Sequence, residues 1–168
     1  MNSPAHEVRV RRMIPEDLDR VMEIAQSLKD APHWTRANYV AVLDPAATPR
    51  RIALVAEEGV KVAGFAVASL MPPQAELEII AVDAQFQRRG LARRLFAELD
   101  ATLRLAGVTE VILEVRASNQ PAQGLYRRLG FAETARRQCY YQAPADDAVL
   151  MSLGLAGLET EAANARMP

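Results

Sequence analysis

The chain has 168 residues and a formal net charge of −1 at pH 7, with 50% of its residues apolar and 24% charged. That length suits one substantial core, the near-neutral charge argues against a general nucleic-acid binder, and no apolar run approaches the roughly 20 residues of a membrane helix. Two histidines and a single cysteine, Cys139, indicate neither a metal constellation nor a disulfide framework. No apolar segment follows the charges of the first twelve residues, so the expectation is a cytoplasmic protein, one domain over 1–153 with a flexible tail over 154–168.

Val8, Val10 and Ile14 lie in an alternating stretch that predicts a first strand. Pro15-Glu16-Asp17 then opens a helix whose apolar stripe is Leu18, Val21, Met22, Ile24, Ala25 and Leu28. After a break at Asp30 and Pro32, Thr35 can cap a short second helix ended by Asp44-Pro45. Trp34 sits in this connection, either bordering a substrate site or covering the core. Residues 51–57 and 60–70 predict a hairpin turning at Glu58-Gly59. Residues 75–82 predict a strand with Glu76, Glu78 and Ile80 on one face and Leu77, Ile79 and Ala81 on the other.

A helix over 90–106 buries Leu91, Leu95, Leu99 and Leu103 at four-residue spacing. The apolar density of 108–115 predicts a parallel strand covered on both faces, completing a right-handed βαβ unit. Ser118 or Asn119 caps a further helix with Pro121 in its first turn, stopped by Gly130. Two last strands, 131–141 and 148–153, are joined by a turn over 142–147.

Between strand 75–82 and its helix stands Gln87-Arg88-Arg89-Gly90-Leu91-Ala92, a Q-x-x-G-x-A loop. It is neither the G-x-G-x-x-G of a dinucleotide fold nor a nucleotide-triphosphate loop. Backbone N–H groups presented at a helix start make a site for an anion, most simply a phosphate. The arginines at 88, 89, 93 and 94, and at 127, 128, 136 and 137, read either as forks for phosphate or carboxylate or as solvated helix faces. Glu114 interrupts an apolar strand, where an unpaired acid is costly; it marks a site or pairs with Arg116 or another arginine. Cys139 has no histidine near it in sequence and reads as a small buried hydrophobe. Alternation along a strand puts Tyr140 and Tyr141 on opposite faces.

The order strand, Q-x-x-G-x-A, long helix, strand, then N-x-x-x-x-x-L-Y-x-x-x-G-F resembles the GNAT superfamily of acetyl-CoA-dependent N-acetyltransferases. LEVRASN at 113–119, LYRRLGF at 125–131, ARRQCYY at 135–141 and DDAVLM at 146–151 are similar to the ribosomal-protein-alanine N-acetyltransferases and their relatives. Gly124 departs from that pattern, as do the short last hairpin and the segment 36–50.

The resemblance implies a mixed α/β (α+β-like) fold: a mostly antiparallel twisted sheet of about seven strands with one parallel splayed pair, flanked by about four helices. It implies acetyl-CoA as co-substrate and no metal. The pyrophosphate would lie on the amides of Arg88, Arg89, Gly90, Leu91, Ala92 and Arg93. The pantetheine arm would pair with Ile80, Ala81 and Val82, with Asn119 helping to hold it. Glu114 would be the proton acceptor and Tyr126 the proton donor. Glu78 and Glu76 are alternative bases, because other members of the superfamily place theirs on that strand. Tyr140 and Tyr141 would line the path of a protein N-terminus, a ribosomal protein's alanine being the leading acceptor. A small-molecule amine is the alternative acceptor, and a non-catalytic acyl-CoA sensor or partner module is the alternative of another class. An α-amino group has a pKa near ~8, so a modestly placed carboxylate can take its last proton. The amide of Val82 is a reasonable oxyanion donor, and direct transfer needs no covalent enzyme intermediate.

Overall fold

The computed structural model describes residues 7–29 and 32–155. Asp30 and the expected tail from 156 onward lie outside the described residues. Seven strands, β1 (Val8–Arg12), β2 (Arg51–Glu58), β3 (Lys61–Met71), β4 (Gln74–Val82), β5 (Glu110–Arg116), β6 (Ala132–Gln142) and β7 (Ala145–Gly154), form one sheet in the order β1-β2-β3-β4-β5-β7-β6. Only β4 and β5 run parallel; the other neighbours are antiparallel. Two helices, α1 (Leu18–Ser27) and α2 (Arg36–Val42), cover one face, and α3 (Leu91–Leu105) and α4 (Gln120–Arg128) cover the other. This is the mixed, mostly antiparallel architecture expected from the sequence.

The two cores follow from side-chain size. On the α3 face, small strand residues such as Ala56, Ala66, Ala68 and Ala75 meet Leu95, Leu99 and Leu103, each fully buried. Large side chains on the helix interdigitate with small ones on the sheet, and each leucine contributes about 1.5–3 kcal/mol by leaving water. On the other face Val21 and Ile24 of α1 and Tyr39 of α2 pack on Val55, Phe65 and Val67. Thr35 caps α2, accepting from the Asn38 N–H. Pro15–Asp17 is a 3-10 turn that precedes α1 rather than its first turn.

Three local expectations are corrected. First, β5 is covered on one face only: Val111, Leu113 and Val115 are buried, while Glu110, Ile112, Glu114 and Arg116 are half-exposed. The reason is coverage, since α1 packs on β3 and β4, and α2 on β2. Second, the turn between the last strands is only Ala143-Pro144, because Asp146 and Asp147 lie within β7. Their carboxylates accept from Ser118 and from the Cys139 N–H, so acids that read as turn residues are held by tertiary bonds. Third, the last strand runs past 153: β7 ends at Gly154, Leu155 is buried in the α3 core, and its N–H donates to the Thr109 carbonyl at 2.8 Å.

Gly64 on β3 faces Val82, and a Cβ there would lie 2.8 Å from the Ala81 carbonyl oxygen. Backbone cannot rotate away as a side chain can. Gly64→Ala is therefore expected to cost about 1–3 kcal/mol, read as a lowered Tm.

Candidate active site

β4 and β5 pair only at Gln74↔Glu110, Ala75↔Val111 and Glu76↔Ile112. Beyond Glu76 the strands part. The bend has a local cause: Val67 faces Ile79 and Ala68 faces Leu77, so Glu78 is an extra residue on β4, a β-bulge. The bulge also resets the alternation. Leu77 packs in the α3 core, whereas Ile79 and Ala81 pack with α1 and α2, so the expected common face for those residues does not hold. Ile80 likewise turns to the α3 core, away from the glutamates. The opening leaves the β5-facing edge of β4 without a strand partner from Leu77 to Val82.

At the end of β4 the Gln87 side chain donates to the Val82 carbonyl at 3.0 Å and draws the loop back onto the strand. Arg88 and Gly90 then take left-handed φ values of 62° and 80°. Space around Gly90 is open, so backbone conformation is what favours glycine there. Among the described residues no side chain caps α3, and the first helical bond runs from the Arg94 N–H to the Gly90 carbonyl. The amides of Leu91, Ala92 and Arg93 are thus presented together at the positive end of a 15-residue helix. Arg93 and Arg94 stand in that first turn, where the helix dipole disfavours cations; an anion at the helix start would reverse the sign. The Arg89 side chain is engaged elsewhere, 3.0 Å from Glu58 and over the Phe86 ring.

Asn119 caps α4 by accepting from the Ala122 N–H at 3.1 Å. Gln123, buried, donates to the carbonyls of Arg116 and Ala117 and ties α4 to the end of β5. Gln123 was not singled out in the sequence; the available signal was a polar residue within the first turn of an amphipathic helix. From α4, Tyr126 packs edge-on against Phe131 in the α3 core, and burial, with Tyr141 second, pushes its phenol up to about 12.

The carboxylates lie on the other side of the sheet. Leu113 and Val115 face the α3 core, so Glu114 between them points to the opposite, open face. Glu76 and Glu114 line one cleft of about 150 Å³ with Arg137, Thr134 and Leu150. Glu78 pairs with Arg51 at 2.9 Å. The partner of Glu114 is Arg137, at 2.8 Å, reaching from β6 across Ala148 of β7. Arg116, the nearer candidate in sequence, instead donates to the Pro144 carbonyl and lies 4.1 Å over the Tyr141 ring. Glu114 thus stands beside the opening between β4 and β5 on the open face, while Tyr126 packs in the α3 core on the other face of the sheet.

Tyr140 and Tyr141 do not point to opposite faces. Their rings touch at 5.2 Å, nearly perpendicular. Between Arg137 and Tyr141 β6 loses register with β7, and Cys139 takes a φ of 50°, which breaks the alternation. Cys139 is correspondingly exposed, not buried. Burial and the nearby Glu114 carboxylate raise the Tyr141 pKa. Trp34 is half-buried, its ring 5.3 Å from Tyr39 in the core under α1 and α2.

A sheet opened at its one parallel pair, with an uncapped helix start beside the opening, is the architecture of a GNAT acetyltransferase. Residues 18–131 match the acetyltransferase (GNAT) family, and the chain belongs to that family. A [ribosomal protein bS18]-alanine N-acetyltransferase of Salmonella typhimurium is 44% identical over 95 residues, which span 55% of this chain and 64% of that relative. The solved ribosomal-protein-S18-alanine N-acetyltransferase of Escherichia coli superposes with a TM-score of 0.78 at 32% identity, covering 91% of this chain and 98% of the other. NAA60 of Arabidopsis thaliana in complex with acetyl-CoA has a TM-score of 0.76 at 18% identity, covering 88% and 99%, a likeness of fold alone.

Proposed function

We propose that this chain transfers acetyl from acetyl-CoA directly to the α-amino group of a protein N-terminus, a ribosomal protein's alanine being the leading acceptor. The single observation that carries the reading is the opening between β4 and β5, with Glu114 beside it on the open face; Tyr126, in the α3 core on the other face, is the proposed acid. An extended pantetheine arm carries amides suited to the free edge of β4 at Ile80, Ala81 and Val82, and a diphosphate suits the amides of Arg88 to Arg93. Asn119 retains its side-chain N–H groups for the arm, since the cap uses only its oxygen. The named relatives support the acceptor class, and a ribosomal acceptor would be met in the cytoplasm.

The residue roles follow from the bond change. The acceptor's ammonium loses a proton to the Glu114 carboxylate, and the neutral amine attacks the thioester carbonyl. Charge on the carbonyl oxygen would be met by the Val82 N–H. As the C–S bond breaks, the Tyr126 O–H hydrogen-bonds the charge forming on sulfur; the second proton, lost from the acylated nitrogen, leaves CoA as the free thiol, and Glu114 returns the first to solvent. Tyr140 and Tyr141 border the face from which the acceptor approaches.

Thiol release in the presence of acetyl-CoA tests the reading, with N-terminal peptides, free lysine side chains and polyamines compared as acceptors. Release with alanine-starting peptides is the expected result and excludes a non-catalytic sensor. Preference for polyamines would assign a small-molecule acceptor instead.

A further inference from the structure

On the open face of β4 and β5 three carboxylates meet two guanidiniums. Glu78 is paired with Arg51 and Glu114 with Arg137. Glu76 shares the cleft of Glu114 and Arg137, yet among the described residues no hydrogen bond or ion pair reaches it. Its carboxyl is pushed up first by burial, then by Glu78 and Glu114, with Arg51 opposing. A half-buried acid held beside two like charges is unfavourable unless a further cation completes the group. An amine acceptor supplies one.

Arg137 occupies the position that such a cation needs, with its Nη1 2.8 Å from Glu114 Oε1. It is held there weakly. The arginine is half-exposed, on the strand at the edge of the sheet and at the point where β6 loses register, and ion pairs of that kind exchange readily. Its guanidinium also has a second seat: the Tyr140 ring lies 5.4 Å from Cζ, within the range of a cation–π contact. While the guanidinium stays on Glu114, that carboxylate is not free to take a proton from the acceptor.

We propose, building on the Nα-acetyltransferase reading, that Glu76 is a positioning residue that docks the acceptor as an ammonium between itself and Glu114, and that Arg137 is the counter-ion the acceptor displaces toward Tyr140. One proton then passes from the ammonium to Glu114, while Glu76 keeps its charge and its place. The site therefore selects a positively charged terminus before it selects a side chain.

The test is calorimetric titration of the CoA-saturated enzyme with an alanine-starting peptide and with its desamino counterpart, which has propionyl in place of alanyl. The wild type should bind the amino peptide about tenfold more tightly, the scale of a hydrogen-bonded charge. Glu76→Gln should abolish most of that preference and raise the acceptor KM about tenfold, with a smaller effect on kcat. Arg137→Ala should tighten the amino peptide and leave the desamino peptide unchanged; CoA affinity in the same titrations reports folding. Equal affinity for the two peptides in the wild type, undiminished preference in Glu76→Gln, or a loss confined to kcat in that variant would each overturn the role of Glu76. Unchanged binding of the amino peptide by Arg137→Ala would overturn the displacement. Absence of thiol release from any N-terminal peptide sinks the acetylation reading, whereas equal binding by an active enzyme sinks this assignment alone.

Discussion

Glu114→Gln is expected to lower kcat with an alanine-starting peptide by about 100-fold or more, while acetyl-CoA binding is retained. The substitution keeps shape and removes only the basic lone pair, at a side chain that points from β5 onto the open face. The proposed cofactor contacts lie elsewhere, on the free edge of β4 and the start of α3. Steady-state kinetics beside direct acetyl-CoA titration separates the two effects. Undiminished turnover would move the base to β4. Glu76 would then lead, because Glu78 is committed to Arg51 and Glu76 opens into the cleft.

Tyr126→Phe is expected to slow the chemical step by about 10- to 100-fold, with little change in the acceptor KM. The ring already packs on Phe131 in the α3 core, so phenylalanine conserves the packing and removes only the hydroxyl. Burial pushes the phenol up to about 12, so it stays protonated, and available as a donor, at all lower pH values. Full proton transfer to a thiolate with a thiol pKa of about 8.5 would run uphill by some three units. In the proposed role the phenol therefore acts chiefly by hydrogen-bonding the charge as it forms on sulfur. The sign of the pH effect is definite: no loss of rate from ionisation of Tyr126 is expected until pH approaches 12. Single-turnover rates for the two proteins measure the step, and equal rates would remove Tyr126 from it.

The fold was legible because its signals are local and repeated. Leu91, Leu95, Leu99 and Leu103 announce α3 by spacing alone, and all four are buried. Asn119 and Pro121 mark the start of α4 in the same way. The strand, helix and strand order gave the parallel pair at β4 and β5, and the motif resemblance added that the pair splays. What was not legible depends on distant neighbours. The bulge at Glu78 exists in the register against β3, and it redistributes Leu77, Ile79 and Ile80 between faces without a glycine or proline to signal it. The irregular stretch of β6 around Cys139 places Tyr140 against Tyr141 for the same kind of reason. Arg137 finds Glu114 across an intervening strand, a pairing that only sheet order creates, while the sequence neighbour Arg116 is drawn to Tyr141. That β5 is half-open reflects which helices cover which strands, although its own composition reads as buried.

The claim at the centre of this account is acetyl transfer to an α-amine across the opening between β4 and β5. It is tested most directly by mass spectrometry of a peptide with an N-terminal alanine and an internal lysine, incubated with the protein and acetyl-CoA. The expected product carries one acetyl group, on the alanine nitrogen, with one free CoA thiol formed for each group transferred. Acetyl found on the lysine, or none on the peptide while a polyamine is acetylated, would contradict it.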